Sequence, residues 1–273
     1  MSPDTQHDGS SIPLADIPGR GSRLWSILAW INVLLNLLLS TLLVIFIGWP
    51  AALLGDRRRR IAHRMLGIGH AGIRLGMSPR VELTLSGLEN LPDGPCILCA
   101  NHQSLADVVY LYSLPLHFKW LVKKEFFRVP LFGLSMWIAD YPVVDRGDPD
   151  SALKLLDVIA DNLKAGVSIL TFPEGTRSVT GELQSFQTGP ARMAVLSQVP
   201  LVPIGVVGTG HMLPKGSSLL APHGDLGVHV GPPLKTEGIE RSSIRKLTRR
   251  LRDAVISAKT EARRRVDEKG GVK

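Results

Sequence analysis

The chain has 273 residues, 44% hydrophobic and 21% charged, with 32 Lys and Arg against 24 Asp and Glu and a formal net charge of +8. That length holds one enzyme-sized domain plus an appendage, and the composition, free of repeats and low-complexity tracts, excludes a disordered, collagen-like or solenoid protein. Cys96 and Cys99 are the only cysteines, too few for a disulfide scaffold and two ligands short of a structural zinc site, so no metal is called for and a reducing compartment is the simpler reading.

Residues 1–23 read as a flexible N-terminal segment. From Leu24 to Gly55 no residue is charged, and Ile31, Val33, Leu34, Leu35, Leu37, Leu38 and Leu39 lead an apolar run that continues to Ile47. A spanning helix needs only about 20 such residues. Trp25 and Trp30 near one end and Trp49 near the other suit headgroup level, and Pro50 ends or kinks the helix. The run exceeds both an ordinary core helix and the apolar region of a cleaved signal peptide, so a retained membrane anchor is expected.

Residues 57–80 then carry seven arginines, beginning with Arg57 to Arg60, and no acid. Only Arg20 and Arg23 precede the apolar run, with Asp4, Asp8 and Asp16 upstream. The positive-inside rule therefore places the rest of the chain on the cytoplasmic side, at the inner membrane if the source is bacterial. Ile61, Met65, Leu66, Ile68, Ile73 and Leu75 alternate with Arg64, His70 and Arg74, a pattern for an interfacial helix with basic side chains at phosphate depth. Residues 24–80 are thus read as membrane-anchoring helices, a single membrane helix or a helical hairpin, spanning or re-entrant.

Beyond Val81 short strands alternate with helices. Val81 to Leu85, Cys96 to Ala100, Gly166 to Phe172 and Pro200 to Val207 are shaped like strands. Asp150 to Lys164, entered through Asp148 and Pro149 and closed by Gly166, presents Leu153, Leu155, Leu156, Ile159 and Leu163 as one helical face. The expectation is an α/β domain over residues 81–235, a mixed sheet flanked by helices. Residues 236–273 form a basic tail. Ile244, Leu247, Leu251, Val255 and Ala258 at spacings of three and four predict an amphipathic helix there, and no nucleic-acid motif accompanies its charge. Gly205, Gly208 and Gly210 read as a loop, since no dinucleotide-binding pattern surrounds them.

The strand Cys96 to Ala100 runs into Asn101, His102, Gln103, Ser104, Leu105, Ala106 and Asp107. On one regular helix His102 and Asp107 would point apart. Ser104 and Asp107, however, form a helix-start signal that leaves His102 outside, free to fold back over the first turn. The Asp107 carboxylate then fixes the His102 tautomer and stabilises its imidazolium, the preparation of a general base; the bland alternative makes Asp107 a mere cap. At the end of another strand, Phe172, Pro173, Glu174, Gly175, Thr176, Arg177 and Ser178 turn sharply. Backbone amides, the Thr176 hydroxyl and the Arg177 fork can converge there on an anion, or the segment is a surface turn with a Glu–Arg salt bridge.

Together these residues resemble the glycerolipid acyltransferase family. The His-x4-Asp box in NHQSLAD and the FPEGTRS box look like its first and third motifs. Residues 123–133 with Val144, Asp145 and Arg146 are similar to the second, and Val199 to Ile204 to the fourth. The resemblance implies that His102 deprotonates the sn-2 hydroxyl of 1-acylglycerol-3-phosphate as it attacks the thioester of acyl-CoA or acyl carrier protein, giving phosphatidic acid for phospholipid biosynthesis. Asp107 orients the ring, with no covalent intermediate and a structural role for Ser104. Glu174, Gly175, Thr176 and Arg177, with Arg146 and the weaker candidate Lys123, would hold the acceptor's phosphate and glycerol. No cofactor is implied beyond the acyl co-substrate; the partners are membrane lipids, the lysophospholipid acceptor and the acyl donor. One departure stands out. The family commonly has Phe-Lys-x-Gly after the third box, whereas this chain has Phe186, Gln187, Thr188, Gly189. Another lysolipid acceptor, such as a lyso-ornithine lipid, stays open, as does a non-enzymatic adaptor that binds anionic lipid.

Overall fold

The computed structural model describes residues 21–77, 80–145 and 149–270; most of the expected flexible segment 1–23 and the candidate Arg146 lie outside them. Ser22 starts the N-terminal helix, its Oγ accepting from Trp25 N at 3.1 Å. Helix α1 (Arg23–Leu43) passes through a π-helical turn, Val44–Gly48, into α2 (Trp49–Leu53). That wide turn ends just before Pro50, whose ring lacks the N–H of a regular helical ladder. The whole, Arg23–Leu53, is a 31-residue helix long and apolar enough to cross a membrane.

Asp56 then reverses the chain. Its two carboxylate oxygens accept from Arg60 N at 3.0 Å and Ile61 N at 2.8 Å, starting α3 (Arg60–Met77). α3 returns along α1 so closely that a Cβ at Gly72 would lie 1.9 Å from Asn36 Oδ1, and one at Gly76 2.1 Å from Asn32 Nδ2. α1 and α3 therefore form a helical hairpin. One α1 face, with Leu24, Ile27, Ile31, Leu34 and Leu35, is exposed, an apolar surface that marks membrane association. The other face is tied to the remainder of the chain: Trp30 Nε1 donates to Ser218 O at 2.8 Å, Ser26 Oγ accepts from Leu220 N at 3.0 Å, and Thr41 Oγ1 donates to Leu131 O at 3.1 Å.

The six-stranded sheet has the order β1-β8-β7-β2-β6-β3, from β1 (Arg80–Ser86), β2 (Ile97–Ala100), β3 (Phe118–Trp120), β6 (Ser168–Thr171), β7 (Leu201–Val207) and β8 (His223–Val230). β7, β2, β6 and β3 run parallel, β8 pairs antiparallel with β7, and β1 parallel with β8, so the α/β sheet is mixed. β4 (Val122–Lys123) and β5 (Val143–Val144) form a separate parallel pair. Every residue of β2, β6 and β7 is buried, as expected of strands covered on both faces.

Helices α4 (Ala106–Leu111), α5 (Phe132–Ile138), α6 (Pro149–Lys164), α7 (Gly189–Ser197), α8 (Thr209–Met212) and α9 (Ile244–Gly270) complete the chain. On one sheet face Ile97, Ile169 and Leu201 pack with Ile159 of α6, Ala194 of α7 and Leu251 and Val255 of α9. On the other, Leu98, Leu170 and Val202 meet Leu111 of α4 and Phe118. The expected glycine loop is not one loop. Gly205 lies inside β7, where a Cβ would come 2.2 Å from the Ala258 carbonyl carbon, so this glycine lets α9 close on the sheet. Gly208, at φ 89°, precedes α8, which contains Gly210. Cys96 and Cys99 are buried free thiols; burial pushes the Cys96 thiol up to about 11, consistent with packing and not reactivity.

Candidate active site

β2 and β6 are parallel neighbours, with Cys99 opposite Thr171, so the segments leaving both strands emerge at one edge of the sheet, where open α/β sheets bind ligands. The exit of β2 is clamped first. Asn101 is buried; its Oδ1 accepts from Val206 N at 2.7 Å and its Nδ2 donates to Val206 O at 2.9 Å, so a side-chain amide extends the ladder to β7.

His102 follows, outside α4. Its ring folds back over the first turn, and Nδ1 sits 2.7 Å from Asp107 Oδ2. The same oxygen accepts from Gln103 N at 2.7 Å and Ser104 N at 3.0 Å. Asp107 is fully buried. A carboxylate already accepting two N–H bonds is an acceptor for the third, so Nδ1 carries the proton and Nε2 presents its lone pair. Phe172, from the end of β6, stacks on the imidazole with centroids 3.9 Å apart and planes 15° apart. The ring is thus fixed on one edge and one face, with 15% of the side chain exposed.

Ser104 is buried and occupied. Its Oγ donates to Leu213 O at 2.7 Å and accepts from Ala106 N at 3.1 Å. It serves the start of α4 while Asp107 reaches back to its N–H, the two halves of a helix-start box.

The third box grips the first. Glu174 is buried; Oε1 accepts from His102 N at 2.8 Å and Oε2 from Gln184 N at 2.9 Å, while Ser178 N donates to His102 O at 2.8 Å. Both backbone polar groups of His102 are therefore held by the segment after β6. Burial raises the Glu174 carboxyl above its ordinary value, against the opposing pull of those two backbone donors. A surface salt bridge to Arg177 is not formed, because the carboxylate faces inward. Gly175 takes φ 72°, the left-handed conformation that turns the chain, and leaves Thr176 exposed and Arg177 half-buried. Among the described residues, no hydrogen bond or ion pair engages the Arg177 guanidinium.

Helix α9 braces this turn. Arg252 donates through Nη2 to Leu183 O at 2.9 Å and through Nε to Gln184 O at 3.1 Å, and Lys259 Nζ donates to Gly181 O. Burial lowers the Lys259 ammonium pKa. Gln187 anchors by its backbone N–H to Pro173 O at 2.9 Å, with its residue exposed. Lys123, on β4, is exposed and pairs with Glu125 at 3.2 Å; no described contact joins it to the His102 cluster. Sequence reasoning missed Lys215, whose Nζ lies 2.9 Å from Arg177 O and 3.3 Å from Thr176 Oγ1. It also missed the tether from Glu174 to His102 N. Neither carries a local signal, since each joins segments far apart in the chain.

Residues 82–207 match the family model described as Acyltransferase. Over 189 residues the chain is 38% identical to the chloroplastic 1-acyl-sn-glycerol-3-phosphate acyltransferase BAT2 of Brassica napus, covering 68% of this chain and 54% of that protein. It is 33% identical to the 1-acyl-sn-glycerol-3-phosphate acyltransferase of Pseudomonas aeruginosa, covering 62% of this chain and 66% of that one. The chain spans about half the length of the first curated relatives it matches. In fold it is similar to the crystal structure of the 1-acyl-sn-glycerophosphate (LPA) acyltransferase PlsC from Thermotoga maritima, with a TM-score of 0.61 at 23% identity over 85% of this chain and 97% of that one. With its His-x4-Asp and Glu-Gly-Thr-Arg boxes inside the matched segment, the chain belongs to the Acyltransferase family.

Proposed function

We propose that the chain transfers an acyl group from acyl-CoA or acyl carrier protein to the sn-2 hydroxyl of 1-acylglycerol-3-phosphate, forming phosphatidic acid. The observation that carries this reading is the His102 ring, donating from Nδ1 to a buried carboxylate with no partner at Nε2 among the described residues, its carbonyl held by the N–H of Ser178, the residue after Arg177. Nε2 takes the hydroxyl proton as that oxygen bonds to the thioester carbonyl carbon. The tetrahedral adduct collapses by breaking the C–S bond, and the imidazolium returns the proton to the departing thiolate. Asp107 stabilises the imidazolium between these steps. The products are an ester and a free thiol, with no acyl-enzyme. Burial and double hydrogen bonding of Ser104 argue against its acting as nucleophile.

Thr176 and Arg177 are the groups at this edge suited to the acceptor's phosphate, with Arg146 and Lys123 as further cations. Glu174 and Gly175 shape the turn that presents them. The membrane would bring the acceptor: the hairpin within 24–80 immerses its exposed apolar face, its arginines meet headgroup phosphates on the cytoplasmic side, residues 81–235 carry the chemistry and α9 within 236–273 covers the sheet.

The test is acyl transfer by purified protein in mixed micelles, from labelled acyl-CoA or acyl carrier protein to lysophosphatidic acid and other lysolipids. Labelled phosphatidic acid is expected. Transfer to a lyso-ornithine lipid alone would shift the acceptor and make Gln187 part of the reason. No transfer to any acceptor from folded protein would leave a lipid-binding adaptor.

A further inference from the structure

The turn at Thr176 and Arg177 receives a cation from a remote part of the chain. Lys215 lies in the loop between α8 and β8, and its ammonium spends two donors on that turn, at 2.9 Å to Arg177 O and 3.3 Å to Thr176 Oγ1. An ammonium has three donors, so one stays available. Among the described residues no carboxylate pairs with Lys215 or with the Arg177 guanidinium; the carboxylate within the box, Glu174, faces away onto His102 N and Gln184 N. A cation seated on the exposed Thr176 hydroxyl and the Arg177 backbone, with the Arg177 side chain leaving the same turn and no neutralising acid among the described residues, makes a site for a dianionic group. Gln187, after the third box, brings no charge.

The loop that delivers Lys215 is fastened at both of its other functional borders. Leu213 O accepts from Ser104 Oγ at 2.7 Å beside the His102–Asp107 pair. Ser218 O accepts from Trp30 Nε1 at 2.8 Å, and Leu220 is bonded to Ser26 Oγ of α1 and to Gly21 N just before that helix. The cation therefore has a fixed position relative to both the catalytic ring and the lipid-facing hairpin. We propose that Lys215 is the second phosphate-binding cation of the acceptor site, gripping with Arg177 the phosphomonoester of the lysolipid and so selecting phosphate-bearing acceptors. This rests on the acyl-transfer reading above.

The test compares wild type, Lys215→Gln and Lys215→Arg with lysophosphatidic acid and with monoacylglycerol, which has the hydroxyl and lacks the phosphate. Losing one charge-assisted bond to phosphate should raise KM for lysophosphatidic acid about 10- to 100-fold. With the glutamine, kcat should stay within about threefold and transfer to monoacylglycerol should be unchanged, because His102 is untouched. Arginine should restore most of the lost affinity. An equal fall in kcat for both acceptors without rescue by arginine would make Lys215 a strut of the turn and overturn the proposal. Unchanged KM in Lys215→Gln, with wild type active, would overturn it alone; wild type inactive on every lysolipid would take the acyl-transfer reading down with it. Labelling of the unmutated protein with an amine-acylating reagent bypasses any folding defect. Lysophosphatidic acid should protect Lys215 and monoacylglycerol should not; equal labelling with both would contradict the phosphate contact.

Discussion

Replacing Asp107 with asparagine separates the geometry of the pair from its chemistry. Asp107 Oδ2 accepts three bonds, from His102 Nδ1, Gln103 N and Ser104 N. Asparagine has one oxygen and an NH2 group. With its oxygen in the place of Oδ2 it keeps all three bonds, from His102 Nδ1, Gln103 N and Ser104 N, so the geometry of the pair survives. The NH2 takes the place of Oδ1, a buried oxygen with no hydrogen-bond partner among the described residues, so the variant loses an acceptor that nothing uses. The variant also loses the charge that faces the imidazolium. At 2.7 Å and an effective dielectric constant of about 20, that attraction is at most about 6 kcal/mol. The loss of charge predicts a fall in kcat of about 10²- to 10⁴-fold, equivalent to about 3–5 kcal/mol of activation free energy. Thermal stability should drop by only about 1–2 kcal/mol, since the buried backbone donors remain served. Initial rates with lysophosphatidic acid, beside melting curves, make the comparison. Turnover within tenfold of wild type in a folded Asp107→Asn protein would refute the role given to the Asp107 charge.

Other substitutions test the supports. Glu174→Gln retains an acceptor for one of His102 N and Gln184 N and faces the other with an NH2; stability should fall by about 1–3 kcal/mol, with reduced kcat, in paired melts and rates. Burial raises the Glu174 carboxyl, so its contribution to stability is full below the ordinary carboxyl value and is lost as pH rises through the raised one. Melts from pH about 4 to about 7 should show a slope in wild type that Glu174→Gln lacks. Ser104→Ala should lose about 1–2 kcal/mol of stability and keep turnover within about tenfold; trapping of an acylated Ser104 in wild type would contradict this. Gly205→Ala should destabilise by at least about 2 kcal/mol in denaturant titration, because α9 backbone lies 2.2 Å from the new Cβ; wild-type stability would show that α9 can retreat freely.

What could be read beforehand was local. The fivefold step from His102 to Asp107 was interpretable because Ser104 and Asp107 announce a helix start, and the ring does fold back over that turn. The apolar strands β2 and β7, Ile169 and Leu170 of β6, and the four-and-three spacing of Leu247, Leu251, Val255 and Ala258 report burial directly. β8 was invisible because His223, Gly224 and Asp225 open it with poor strand formers, and its pairing is supplied by β1 and β7. Gly205 read as a loop residue because the reason for its missing side chain is Ala258 of α9, more than fifty positions away. Glu174 looked like a ligand for substrate, yet its partners are backbone N–H groups, which no residue pattern names. The same holds for Lys215, an isolated lysine whose neighbours are set only by the fold.

The central claim is that His102 Nε2 is the base that activates the acceptor hydroxyl. Its most direct measurement is single-turnover transfer from labelled acyl-CoA or acyl carrier protein to lysophosphatidic acid by wild type and His102→Ala, with lysolipid binding and melting temperature measured on the same samples. The account predicts phosphatidic acid from wild type, a rate lower by at least about 10²-fold in His102→Ala, and lysolipid binding and melting close to wild type. A folded His102→Ala protein that still forms phosphatidic acid at a comparable rate would contradict it.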